Sequence, residues 1–156
     1  MKSRRLFIAL PVDDRAVKEF IGSIYSDLDK YRSILKTVSQ DNLHITMKFL
    51  GEVDEEKTAK ITEAIRSLET SGNIEYTLKG IGCFPSITAP SVIWSGIDCD
   101  IKKMSGLFSQ IEEFCSSLGF NKETRSFTPH LSRICRSATG TGTCTSIMRT
   151  AVCSNN

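Results

Sequence analysis

The chain has 156 residues, a length typical of a single domain. Hydrophobic residues make up 40% of it and charged residues 24%, a balance that excludes a largely disordered chain. No apolar run reaches the roughly 18 residues of a membrane-spanning helix. The net charge of +2 permits an anionic ligand without requiring one, and no block of lysines and arginines indicates a nucleic-acid-binding arm.

Short apolar or alternating runs predict strands, and apolar residues three and four positions apart predict amphipathic helices. In chain order, the predicted elements are a strand at 4–10, a helix from Asp13 or Asp14 to Leu28, a short strand at 35–38, a strand at 43–50, a helix from Asp54 to Leu68, strands at 74–78 and 92–97, a helix from Asp100 to Leu118 and a last strand at 127–134. Several neighbouring strands have no helix between them. This order predicts an α+β fold rich in antiparallel pairing rather than a doubly wound parallel sheet.

The end of the chain differs from the rest. Between 137 and 156, eight of the twenty residues are Ser or Thr, and no helical or strand period is visible. We therefore divide the chain into a domain at 1–136 and an atypical tail at 137–156. Two interpretations of the tail stay open: a flexible extension, or a segment that is not the natural ending of the domain.

The cysteines predict neither disulfides nor a metal site. The six cysteines are at positions 83, 99, 115, 135, 144 and 153. None forms a Cys-x-x-Cys pair or a Cys/His cluster with zinc spacing. The first apolar run is too short for a signal peptide, so we expect a cytoplasmic protein with free thiols. A nucleotide-binding Gly-x-x-x-x-Gly-Lys-Ser/Thr motif is also missing, and we expect no cofactor.

The two histidines of the chain share a local pattern. His44 and His130 are each followed two residues later by a hydroxyl side chain, Thr46 and Ser132. Because side chains two positions apart in a strand share a face, we expect each histidine beside its hydroxyl. Lys48 continues the same parity, so we expect it on this polar face. The apolar residues expected on the opposite face are Ile45, Met47 and Phe49.

Two imidazoles that face one pocket can divide a proton-transfer reaction between them. Histidine ordinarily titrates near about pH 6.5, so a neutral ring can take a proton from a nucleophile while a protonated ring gives one to a leaving group. Hydroxyls beside them can donate hydrogen bonds to a phosphate oxygen. The pattern therefore indicates a metal-free phosphodiester site. A single histidine on a strand face is more often a packed or surface residue, and for either histidine alone that interpretation stays open.

Four stretches of the chain carry a resemblance to a known family. They are 5–11, 42–53, 80–85 together with 92–96, and 125–132, and they occur in the family's order and at its spacing. The most specific is His-Ile-Thr-Met-Lys-Phe-Leu-Gly, followed later by Phe-Thr-Pro-His-Leu-Ser. On these motifs the sequence resembles the two-histidine phosphoesterase superfamily, and more narrowly the RNA 2′,3′-cyclic phosphodiesterases, also called the 2′-5′ RNA ligase family.

The resemblance implies a bilobal α+β fold with a central cleft between lobes related by a pseudo-two-fold axis. It implies metal-independent hydrolysis of RNA 2′,3′-cyclic phosphate ends to 2′-phosphates, with His44 and His130 as the acid–base pair and Thr46 and Ser132 on the phosphate. We assign His130 as base and His44 as acid; the symmetry of the site leaves the reverse open. Many members also join tRNA halves through a 2′-5′ bond, so we expect RNA ends or tRNA halves as partners. We expect a monomer that binds no membrane.

Four further residues are weaker candidates for substrate binding. Phe84 either stacks on a nucleotide base at the cleft or belongs to the core. Arg125 either contacts phosphate or is a solvated charge. Lys48 either faces the anion or solvent. Arg133 is a candidate because the family usually has an arginine where this chain has Cys135, and Arg133 or Arg136 would have to replace it.

Two further interpretations concern the whole molecule. Apolar periodicity ends after Ile134, and one hypothesis for the atypical tail is a shifted reading frame or a truncation that removed the final strands, which would leave an exposed sheet edge. The alternatives to an enzyme are a non-catalytic nucleotide or RNA-end binding module with the same cleft, and a damaged relative that folds poorly. The enzyme needs both histidines for turnover, whereas the binding module needs them only for affinity.

Overall fold

The computed structural model describes residues 3–31, 35–68, 73–88, 91–136 and 145–146, with the backbone alone at 35–36, 132–136 and 145–146. Its elements are β1 Ser3–Pro11, α1 Arg15–Leu28, β2 Leu35–Thr37, β3 His44–Asp54, α2 Glu55–Arg66, β4 Tyr76–Phe84, β5 Val92–Cys99, α3 Ile101–Ser117, β6 His130–Arg136 and β7 Thr145–Ser146. The predicted α+β class is confirmed. Of the predicted tail, only 145–146 lies within the described residues.

Each α-helix begins behind an aspartate that caps it. The carboxylates of Asp14, Asp54 and Asp100 accept hydrogen bonds from backbone N–H groups in the first turns of α1, α2 and α3. These N–H groups have no partner inside the helix, so a capping carboxylate stabilises the first turn. The predicted helix starts are confirmed, and Asp14 rather than Asp13 is the cap of α1. None of the described helices has the length and hydropathy needed to cross a membrane.

The longer strands form an antiparallel sheet in the order β4-β5-β6-β3-β1. At its margins, β7 pairs in parallel with β1, and β2 pairs antiparallel with β6. The central strands β3 and β6 are joined by one residue pair, Ile45 with Leu131. By contrast, β1 pairs with β3 along its whole length, from Ser3 to Pro11. The antiparallel pairing confirms the prediction made from the element order.

One hydrophobic core joins the sheet to all three helices. Its members from the sheet include Leu6, Ile8, Leu10, Ile45 and Leu131, and those from the helices include Ile21, Ile61, Ile65, Met104, Leu107, Ile111 and Cys115. Because side chains alternate along a strand, the residues between these sheet positions lie on the opposite side. We call the first side the helix face and the second the open face. Phe7 and Ala9 of β1 belong to the open face.

The alternation predicted for β3 is wrong beyond Met47. The register of β3 against β1 shifts between Ile8 and Ala9, which leaves Met47 as an extra residue in a β-bulge. An extra residue reverses the parity of the residues that follow it. Lys48 is therefore buried on the helix face, and the side chain of Phe49, predicted to be internal, is 75% exposed.

The boundaries of two predicted strands also change. The strand predicted at 74–78 extends from Tyr76 to Phe84, because the glycines expected to interrupt it lie inside the strand. Gly80 has a φ of +68° and stands at a register shift between Lys79 and Ile81, a conformation that glycine adopts without strain. The last strand begins at His130 rather than at residue 127.

Candidate active site

The two histidines occupy equivalent positions in neighbouring strands. His44 is the first residue of β3, and His130 is the first residue of β6. The residues that follow them, Ile45 and Leu131, form the single pair between these strands and are buried in the core. Side-chain alternation places both half-buried histidines on the open face. The structure thus brings together two histidines that are 86 positions apart in the sequence.

The register also brings each hydroxyl position towards the opposite histidine. Continued by one residue in the same register, the Ile45–Leu131 pair would bring Thr46 across from His130 and Ser132 across from His44. Thr46 is half-buried. Ser132 pairs with Trp94 through its backbone, and its side chain lies outside the described part of the chain.

Both imidazole rings are oriented by a backbone carbonyl two residues earlier. The Nδ1 atom of His44 lies 2.6 Å from the carbonyl oxygen of Asn42, and that of His130 lies 2.9 Å from the carbonyl oxygen of Thr128. A carbonyl oxygen only accepts hydrogen bonds, so Nδ1 must carry the hydrogen in both rings. Nε2 is then the atom that exchanges a proton: it accepts one in the neutral ring and donates one in the imidazolium. Sequence reasoning missed these two carbonyl groups because backbone contacts leave no residue-type signal.

Aromatic rings pack beside both histidines. The ring centroids of Phe7 and His44 are 4.9 Å apart. The ring of His130 lies 5.6 Å from that of Trp94 and 5.9 Å from that of Phe84. Phe84 and Trp94 stack on each other with centroids 5.5 Å apart, and Phe84 is 49% exposed. This pair forms a partly open aromatic surface beside His130, which we call the aromatic wall.

Gly82 allows the aromatic wall to form. Gly82 on β4 pairs with Trp94 on β5, and a Cβ atom at position 82 would lie 2.2 Å from the Trp94 ring. A larger residue would therefore displace the indole. Sequence analysis did not assign a site role to Trp94. It is the only tryptophan of the chain and belongs to one of the family-like stretches, so a signal was present.

One of the weaker candidates, Lys48, lies outside this cluster. The ammonium group of Lys48 donates hydrogen bonds to a Glu112 carboxylate oxygen at 2.5 Å and to the Asn121 carbonyl oxygen at 2.9 Å. These contacts are on the helix face, so the prediction that Lys48 shares a face with His44 is wrong. Arg125 is exposed in the segment between α3 and β6. The backbone of Arg133 lies in β6, and its side chain is outside the described residues.

Two of the cysteines that the structure describes, Cys99 and Cys115, are not suited to act as nucleophiles. Cys115 is fully buried in the core, and burial raises the pKa of its thiol to about 11. Burial also raises the pKa of the Cys99 thiol. A raised pKa keeps the thiol neutral and unreactive near neutral pH. Within the described ranges, no three His, Cys, Asp or Glu side chains are grouped so that they could hold a metal ion.

Comparison with known proteins gives a family match and several relatives. A family model described as LigT-like phosphoesterase matches residues 12–94. An RNA 2′,3′-cyclic phosphodiesterase of Methanocaldococcus jannaschii is 41% identical over 127 residues, which cover 81% of this chain and 68% of that protein. An RNA 2′,3′-cyclic phosphodiesterase of Archaeoglobus fulgidus is 35% identical, with 81% and 69% covered.

Solved structures show the same fold. The crystal structure of Escherichia coli LigT in its apo form matches with a TM-score of 0.68 and 25% identity, covering 92% of this chain and 77% of that chain. The crystal structure of TT0787 from Thermus thermophilus matches with a TM-score of 0.70 and 21% identity, covering 88% and 76%. Because the Thermus thermophilus protein is only 21% identical, its likeness to this chain concerns the fold alone.

Proposed function

Because this chain belongs to the LigT-like phosphoesterase family, we propose that it hydrolyses 2′,3′-cyclic phosphates at RNA ends to 2′-phosphates. The observation that carries the proposal is the matched orientation of His44 and His130. Each begins one of two neighbouring strands, and each donates its Nδ1 hydrogen to a carbonyl, leaving Nε2 for proton transfer. The curated relatives named above act on the same class of substrate.

The proposed reaction needs one general base and one general acid. A neutral imidazole, assigned to His130, takes a proton from water at Nε2 while the water oxygen forms a bond to phosphorus. The bond between phosphorus and O3′ breaks, and the imidazolium of His44 gives its Nε2 proton to O3′. The products are a 2′-phosphate and a 3′-hydroxyl. Proton exchange with solvent then restores both rings.

Thr46 and Ser132 are proposed to bind the phosphate. Negative charge grows on the non-bridging phosphate oxygens as water attacks, and hydroxyl donors placed there stabilise that charge. Thr46 is supported by its position two residues after His44, before the bulge at Met47 reverses the parity of β3. Ser132 is supported by the backbone pairing of its strand.

We further propose that residues 1–136 form two lobes related by a pseudo-two-fold axis. The support comes from chain order and pairing. In the first half, β1 is followed by α1, by the short β2 and then by β3, which pairs antiparallel with β1. In the second half, β5 is followed by α3 and then by β6, which pairs antiparallel with β5. In each set, the returning strand begins with a histidine.

The aromatic wall is proposed to stack on a base of the RNA end. Single-stranded RNA is commonly recognised by stacking of unpaired bases on aromatic rings, and Phe84 presents about half of its surface beside His130. Arg125, exposed ahead of β6, and Arg133 within β6 are proposed to contact the RNA phosphates. Partners of this kind include tRNA halves, and joining them through a 2′-5′ bond is a further activity to test.

We expect Phe84→Ala to raise KM for adenosine 2′,3′-cyclic phosphate about 10-fold while kcat changes little. Base stacking contributes on the order of 1–3 kcal/mol per base, and its loss weakens ground-state and transition-state binding alike. Steady-state kinetics check this result. The matched control is Ile87→Ala, which is expected to leave KM unchanged. Ile87 is 88% exposed and follows the end of β4 at Phe84. An unchanged KM in Phe84→Ala would contradict the stacking role.

The proposed function is tested by incubating the purified protein with a nucleoside 2′,3′-cyclic phosphate in excess EDTA. Phosphorus NMR identifies the product, and we expect the 2′-phosphate isomer alone. Circular dichroism and a cooperative thermal melt establish that the protein is folded. No turnover by a folded protein that still binds the nucleotide would instead support the non-catalytic binding module.

A further inference from the structure

A buried ion pair links the histidine strand β3 to helix α3. The Nζ atom of Lys48 lies 2.5 Å from Oε1 of Glu112, and the two side chains are only 6% and 9% exposed. Removing two charges from water is costly, and a buried pair often contributes little or nothing to stability compared with apolar residues of similar size. Stability alone therefore does not account for the pair.

The other contacts of the pair reach the segment that leads from α3 to His130. Lys48 also donates a hydrogen bond to the Asn121 carbonyl oxygen at 2.9 Å. The backbone N–H of Glu123 donates to the second carboxylate oxygen of Glu112 at 2.8 Å. One pair thus holds the strand that begins with His44 and the segment that ends at His130. The side chains of Asn121 and Glu123 are exposed.

The described pairing between β3 and β6 is sparse. It consists of Ile45 with Leu131, whereas β5 and β6 pair over five positions, from Val92–Cys135 to Gly96–His130. His130 is therefore fixed to β5, the strand that contributes Trp94 to the aromatic wall. The placement of His130 relative to His44 depends on one residue pair between β3 and β6, on the shared core and on the contacts of Lys48 and Glu112.

We propose that Lys48 and Glu112 are positioning residues, which set the placement of His130 relative to His44. This inference rests on the proposed two-histidine reaction. Proton transfer at both ends of a reacting phosphate needs both Nε2 atoms in place, and a misplacement of about 1 Å can cost about 100-fold in rate. The aromatic wall lies on β4 and β5, and the proposed hydroxyl contacts of Thr46 and Ser132 act on charge that grows in the transition state. We therefore expect KM to depend less on the pair than kcat does.

The test is the double variant Lys48→Met/Glu112→Met. Replacing both partners avoids leaving one buried charge unpaired, and solvent can reach Asn121 and Glu123. We expect kcat to fall about 10–100-fold with KM within about 2-fold of wild type. The matched control is Lys60→Gln/Glu56→Gln, which removes an exposed ion pair of α2 and is expected to leave both constants unchanged.

The emission of Trp94 separates positioning from a general loss of structure. It is the only tryptophan of the chain, and it reports the packing against His130 on the β5 side. We expect unchanged emission and a cooperative melt together with the lower kcat. An unchanged kcat would overturn the proposal. A lower kcat accompanied by changed Trp94 emission and by the loss of a cooperative melt would also overturn it.

Amide hydrogen exchange gives a readout that needs no turnover. We expect faster exchange at Ile45 and Leu131 in the double variant, because the strands lose one of the links between them. If the wild type does not hydrolyse the substrate, the proposed function fails by itself. In that case, unchanged amide exchange at Ile45 and Leu131 in the double variant would overturn the positioning role independently of the activity.

Discussion

Replacing either His44 or His130 by alanine is expected to lower kcat for a nucleoside 2′,3′-cyclic phosphate by about 10²–10⁴-fold. Removing one imidazole removes proton transfer at one end of the reacting phosphate, which is worth this factor in other enzymes. The double variant is expected to lose about as much as either single variant, because the two groups act as a unit. Stopped assays that follow 2′-phosphate formation in excess EDTA measure all three.

The control for this prediction is a substitution in the same sheet but away from the histidines. Lys79→Gln removes an exposed ion pair with Asp98 between β4 and β5 and is expected to retain wild-type turnover. All variants must show wild-type circular dichroism. If either histidine variant kept turnover within about 3-fold of wild type, the two-histidine mechanism would be wrong.

A substrate with sulfur at the 3′ position distinguishes the two roles. A thiolate leaves without prior protonation, so the general acid becomes unnecessary. With His44 as acid, the His44→Ala variant regains most of its lost rate on the sulfur substrate, whereas His130→Ala does not. The opposite pattern would exchange the two assignments and leave the overall mechanism in place.

The single substitution Lys48→Met is expected to lower the free energy of unfolding by about 3–5 kcal/mol. It leaves the carboxylate of Glu112 buried, with its ammonium partner removed, and an uncompensated buried charge is strongly destabilising. Urea denaturation measures the change. Adding Glu112→Met is expected to recover most of the loss, since no charge then remains to be desolvated.

Lys60→Gln is the matched control for stability. Lys60 pairs with Glu56 at 2.7 Å on the surface of α2, where solvent screens the interaction. We expect the midpoint of its urea denaturation to match that of wild type. A loss below about 1 kcal/mol for Lys48→Met would show that water reaches Glu112 and that the pair does not constrain the interior.

The helices were predictable because their signals are local. Asp54 and Asp100 precede residues with helical spacing, and both carboxylates cap their helices as expected. Capping depends on atoms within three residues along the chain, so no distant contact has to be known. The strand at 74–78 was less predictable. Gly80 and Gly82 are typical of turns, but here one stands at a β-bulge and the other lies beneath Trp94.

The sequence alone determined which residues to consider for chemistry. His44 and His130 are the only histidines, each is followed by a hydroxyl at the strand period, and period two is an intrinsic property of extended backbone. The tertiary structure decided the rest. It joined the two strands through Ile45 and Leu131, assembled the aromatic wall from β4 and β5, and moved Lys48 to the helix face through a bulge. Such features depend on strand register and on partners far away in the sequence, and local residue patterns do not specify them.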